Sequence, residues 1–117
     1  MARAIYEIKL REHYFPALSE NDALEMQING GCHGLPDGDL VATPIVTEEH
    51  TMKLFVLAVT MYDTGIFTCT EVEKSVSSLA RELGYYNNAD ELADAVIRWV
   101  ERLDGMTLSE VEEWLIG

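Results

Sequence analysis

Near the start of the chain, apolar and charged positions alternate, with Ala4, Tyr6, Ile8 and Leu10 on one parity and Glu7, Lys9 and Arg11 on the other. A period of two belongs to a strand with one face buried, so residues 3–11 are predicted as a strand. Pro16 closes that segment. Ser19 followed by Asp22 has the form of a helix N-cap, which opens a short helix over 20–28 carrying Ala23, Leu24 and Ile28. Gly30, Gly31, Gly34, Pro36 and Gly38 then crowd one stretch, and residues 30–39 read as a loop.

The run from Leu40 to Val46 is apolar and β-branched but contains Pro44, which cannot donate a ladder hydrogen bond, and is predicted as an edge strand. Met52 to Tyr62 carries apolar residues on both parities, among them Phe55, Val56, Leu57 and Val59. Such a run suits a central strand covered on both faces, a buried helix being the other reading. Asp63-Thr64-Gly65 supplies a hairpin connection with glycine where a left-handed angle is needed, and Ile66–Cys69 returns as the partner strand. That turn decides for the strand.

From Thr70 onward the period becomes helical. Thr70 with Glu73 forms a capping box, Val72, Val76, Leu79, Ala80 and Leu83 recur at helix spacing, and Gly84 sits just past the end. Asn88 with Glu91 repeats the cap and opens a helix to about Leu103, stopped by Gly105. Its apolar face holds Leu92, Ala93, Val96, Trp99, Val100 and Leu103. Thr107 or Ser109 starts a last helix with Leu108, Val111, Trp114 and Leu115 facing inward. The fold class expected is α+β: a small antiparallel or mixed sheet of about four strands (3–11, 40–46, 52–62, 66–69) packed against the C-terminal helices.

With 117 residues and 48% hydrophobic content the chain is expected to close one core as a single domain, residues 1–117. Its longest apolar run, Leu54–Val59, falls far short of the roughly 20 residues of a membrane span. The alternating N-terminus lacks the continuous apolar stretch of a secretory signal. Cys32 and Cys69 are too few for a disulfide framework, which fits a reducing compartment, so a cytoplasmic protein is expected.

Charge changes the picture most: 21 acidic against 8 basic residues give a net charge of −13. No Lys or Arg occurs from Glu12 through Met52, while Glu20, Asp22, Glu25, Asp37, Asp39, Glu48 and Glu49 all fall inside that stretch. A surface of this sign repels nucleic acid and anionic membranes and attracts basic partners. Solubility and a salt-rich habitat are the plainer accounts of the same composition.

Enzymatic and cofactor motifs fall short. Gly31-Cys32-His33-Gly34 offers a thiol and an imidazole, but His13, His50 and Cys69 are scattered singly, and a zinc site needs about four converging ligands. Asp37 and Asp39 disfavour a thiolate at Cys32. Asp37-x-Asp39 with Glu48 echoes a calcium loop, yet Val41 and Ala42 stand where a ligand and the required glycine belong. The glycines at 30, 31 and 34 lack the lysine of a phosphate-binding loop. No cofactor or metal is expected. A helix-turn-helix reading of the C-terminal helices fails on charge, because Asp90, Glu91, Asp94, Glu101 and Asp104 outnumber Arg98 and Arg102.

The same carboxylates suggest the opposite role. Asp90, Asp94 and Glu101 share one helix face, with acids four residues apart spaced about 6 Å along the axis. With Glu91, Asp104, Glu110, Glu112 and Glu113, and with Asp37, Asp39, Glu48 and Glu49, they form the candidate partner-binding set. The function expected is a non-enzymatic acidic inhibitor, of anti-defence or immunity type as in phages and plasmids, that blocks a basic nucleic-acid-binding protein or nuclease, in one form by mimicking nucleic acid. The alternatives are a structural or adaptor subunit associating through apolar surface, including a homodimer through a strand edge or Trp114, and a small enzyme centred on Cys32, His33 and His50.

Overall fold

The computed structural model of the chain describes residues 2–8, 13–29 and 41–117. The structure is mixed α+β: the described elements are a three-stranded antiparallel sheet and five helices, in the order β1 (Ala4–Ile8), β2 (His13–Ala17), α1 (Glu20–Asn29), β3 (Ala42–Val46), α2 (Glu48–Thr64), α3 (Cys69–Glu82), α4 (Ala89–Arg102) and α5 (Leu108–Ile116). The chain divides into two compact units, Met1–Thr51 with Leu115–Gly117, and Met52–Trp114.

In the first unit the strand order is β2-β1-β3, both pairs antiparallel. β2 is a strand that the alternation did not foretell, and Pro16, expected to end β1, lies inside β2 opposite Ile5. It is tolerated because β2 is an edge strand. Pro44 occupies the other edge, as expected, opposite Tyr6. Ile5 pairs with Val46 and Tyr6 with Pro44, so Ile45 is an extra residue in a β-bulge beside the proline.

Ile8, Ala17 and Ala42 on one face of the sheet form a core with Ala23 of α1, and Tyr6, Phe15 and Leu24 pack against it. Ile5, Tyr14 and Val46 are buried on the opposite parity, so the sheet is apolar on both faces. α1 begins as the Ser19–Asp22 spacing predicts: the Asp22 N–H donates to Ser19 Oγ at 3.2 Å. The Asp22 carboxylate accepts from the Leu18 N–H at 3.1 Å and pairs with Arg3 at 3.3 Å. Burial lowers the pKa of the Arg3 guanidinium, and Asp22 works against that shift. The Arg3 N–H also donates to the Leu115 carbonyl, tying the end of the chain to the start of β1.

The second unit is helical, which corrects two sequence readings. Residues 52–62 are not a strand but the body of α2, and 66–69 do not return as a partner strand. Thr51, Leu54, Phe55, Ala58 and Val59 are its buried positions, spaced three and four apart, which is a helical face. Gly65, at φ 68°, ends this helix instead of turning a hairpin. The capping box of α3 lies two residues earlier than expected: the Glu71 N–H donates to Thr68 Oγ1 at 3.2 Å and the Thr68 N–H to Glu71 Oε1 at 3.1 Å.

Asn88 stands at the N-cap of α4 as predicted, but its side chain makes no cap hydrogen bond. Gly84 and Gly105, past the ends of α3 and α4, have φ of 105° and 89°, the left-handed region that favours glycine. α3 and α4 pack against each other, with Val72, Val76 and Ala80 of α3 and Leu92, Ala93 and Val96 of α4 among their buried residues. Trp114 meets Phe55 at 5.9 Å and Trp99 at 6.2 Å between ring centroids, closing the unit around α2, α4 and α5.

Candidate functional site

The amphipathic pattern of α4 places Asp90, Glu91, Asp94 and Glu101 on its exposed side, as its spacing predicts. Their local electrostatics separate them. Asp90 Oδ1 accepts from the Ser77 hydroxyl at 2.7 Å and from Arg81 at 3.2 Å, which fastens α4 to α3. Asp94 pairs with Arg98 one turn on, at 3.2 Å. Two members of the proposed array are therefore already matched by cations. Glu101 and Asp104, at the C-terminal end of α4, have no ion pair among the described residues. Arg102, their neighbour in sequence, lies over the Trp99 ring at 4.8 Å instead.

Glu101 and Asp104 border a cleft of about 660 Å³ formed by the end of α2, the end of α4 and the start of α5. Buried Val59, Val100 and Val111 supply its floor, and half-buried Tyr62, Leu103, Met106 and Leu108 its walls. Asp63, Glu101, Asp104, Gly105 and Thr107 are its exposed members, and among the described residues no Lys, Arg or His lines it. The Tyr62 hydroxyl shares a hydrogen bond with the thiol of exposed Cys69 at 3.5 Å. Burial, that hydrogen bond, and the charges of Cys69, Glu101 and Glu73 together hold the phenol well above its ordinary pKa.

The remaining candidates are dispersed. In α5, Thr107 Oγ1 receives the Glu110 N–H at 3.2 Å and its own hydroxyl donates to Glu110 Oε1 at 3.2 Å. Glu112 is half-buried and Glu113 exposed. Glu48 and Glu49 occupy the exposed first turn of α2, in the other unit. His50 follows them, its backbone N–H donating to Thr47 Oγ1 at 3.2 Å. Asp37, Asp39, Cys32 and His33 lie outside the described residues. Among the described residues no three His, Cys, Asp or Glu side chains converge as a metal site, and no helix is long and apolar enough to cross a membrane.

The cleft was not legible in the sequence. Its residues come from positions 59–63 and 100–111, and a strand over 52–62 with Asp63 in a hairpin turn would not give the first of these segments its place beside the second. Comparison with protein-family models, curated proteins and solved structures finds no significant match.

Proposed function

We propose that the protein is a non-enzymatic, acidic protein-binding inhibitor that docks on a basic nucleic-acid-binding protein or nuclease and blocks it. The observation that carries this reading is the combination of a −13 charge with carboxylates gathered around a cleft of mixed apolar and polar lining. With 21 acidic and 8 basic residues most carboxylates lack a cationic partner, so it is the position of Asp63, Glu101 and Asp104 beside the cleft that supports the reading. At the end of α4 the acids stand beside half-buried Tyr62, Leu103, Met106 and Leu108, an arrangement that suits an interface with a partly apolar centre and a charged rim. An anti-defence or immunity role in a cytoplasmic setting is the biological form of this reading.

Within that reading, simple mimicry of a phosphate backbone along the whole of α4 is disfavoured, because the Arg81 and Arg98 pairs break the line of charge. Occlusion by the α4–α5 end fits better. The test is capture of host proteins on the immobilised chain with stepwise salt elution. Release of a basic nuclease or nucleic-acid-binding protein by moderate salt is the expected result, since exposed charges are screened over about 8 to 10 Å. Capture of neutral proteins that resist high salt would overturn it. That outcome would favour the adaptor reading, for which exposed Ile66, Phe67 and Tyr86 supply the apolar surface.

A further inference from the structure

We infer that the α2–α4–α5 cleft receives the side chain of an arginine or lysine presented by the partner, a deeper statement that rests on the inhibitor reading. Arginine and lysine have an aliphatic stem and a cationic head, and they bury the first against apolar surface while keeping the second in a polar setting. The cleft has the complementary order: Val59, Val100 and Val111 at its base, and the exposed carboxylates Asp63, Glu101 and Asp104 among its lining residues.

The backbone adds to this. α2 ends at Thr64 and α4 at Arg102, so two helix C-termini, with their partial negative charge, abut the cleft and favour a cation. One N-terminus, that of α5, is also present, and there Thr107 already accepts the Glu110 N–H. The cleft's volume of about 660 Å³ lies within the range of small-ligand sites. Tyr62, an uncharged lining residue, offers a hydroxyl beside the carboxylates.

The test is a titration of the isotopically labelled intact chain with butylguanidinium chloride, an arginine side-chain analogue, read by amide chemical shifts. Guanidinium chloride and 1-butanol are the controls. The expected result is a set of shifts confined to residues 59–63 and 100–111, appearing with butylguanidinium at lower concentration than with either control. Glu101→Gln with Asp104→Asn should weaken that binding about tenfold while leaving the rest of the spectrum in place, since both side chains are exposed.

Equal shifts with 1-butanol would make the cleft a neutral apolar site, equal shifts with guanidinium would reduce it to a charge effect, and no localised shifts would empty it. Each of these overturns the inference. The inhibitor reading stands or falls separately: salt-sensitive capture of a basic partner with a silent titration would place the contact on other carboxylates, whereas a cleft that binds the analogue without such a partner would remove the inhibitor role and keep the cleft.

Discussion

At the scale of single residues, the carboxylates differ by what already touches them. Asp90 has two partners of unequal weight. Its ion pair with Arg81 is exposed, with 51% and 73% of the two side chains accessible, and pairs of that kind contribute at most about 1 kcal/mol. The Ser77 hydroxyl, in a residue 4% exposed, depends more on Asp90. Asp90→Ala is therefore expected to cost about 1 kcal/mol in urea unfolding, and Arg81→Ala less than about half of that. If the arginine variant proved the more damaging, the α3–α4 fastening would be ionic after all.

Tyr62 gives a second residue-scale expectation, in pH. Its pKa is raised in the folded chain, mainly by burial, above the value of about 10 for an unfolded tyrosine. Below about pH 10 both states hold the proton and this stabilisation is fully present. Above it the unfolded chain releases the proton first, so stability falls as pH rises toward the folded pKa. Spectrophotometric titration of the native protein should show one of its five tyrosines ionising late, and Tyr62→Phe should remove that late step. Retention of the step in the phenylalanine variant would move the assignment to another tyrosine.

At the scale of elements, local signals were reliable where they were chemical and ambiguous where they were only apolar. α1, α3, α4 and α5 appear within about two residues of where the glycines and a 3.6-residue period place them, although the α3 box is Thr68–Glu71 rather than Thr70–Glu73 and Asn88 makes no cap bond. Residues 52–62 failed because an apolar run has the same pattern in a central strand and in a buried helix. The discriminating signal was upstream: Thr47 as N-cap with Glu48 and Glu49 in the first turn is a helix start. β2 is not foretold by the sequence because Pro16 reads locally as a breaker, and its place on a sheet edge is a tertiary fact.

The two N-caps supply a matched comparison. Thr68 makes its cap bonds and Asn88 does not, so Thr68→Ala should cost about 0.5–2 kcal/mol and Asn88→Ala only a few tenths, by thermal or urea unfolding. Gly84→Ala should cost roughly 1 kcal/mol or more. A Cβ there meets nothing within 4 Å, so the whole penalty comes from φ of 105°. A neutral alanine would mean that the turn after α3 relaxes to a negative φ.

At the scale of the whole molecule, the prolines and the charge bear on association. Both edges of the sheet carry a proline, Pro16 and Pro44, which blunts pairing with a second sheet edge and weighs against a dimer built on β-strand addition. The net charge of −13 was fully legible in the sequence, but its useful part was not. Pairing with Arg81 and Arg98 matches Asp90 and Asp94, and only the packed helix ends reveal that Glu101 and Asp104 border the cleft.

The most direct test of that account compares two charge reversals in the salt-eluted capture of basic host proteins: Asp90→Lys with Asp94→Lys on the matched stretch, and Glu101→Lys with Asp104→Lys at the cleft. Each changes the net charge by the same amount. The cleft pair is predicted to lower the salt needed for release, or to abolish capture, while the matched pair retains most of the binding. Equal losses from both would show that total charge governs association and that the cleft has no special part in it.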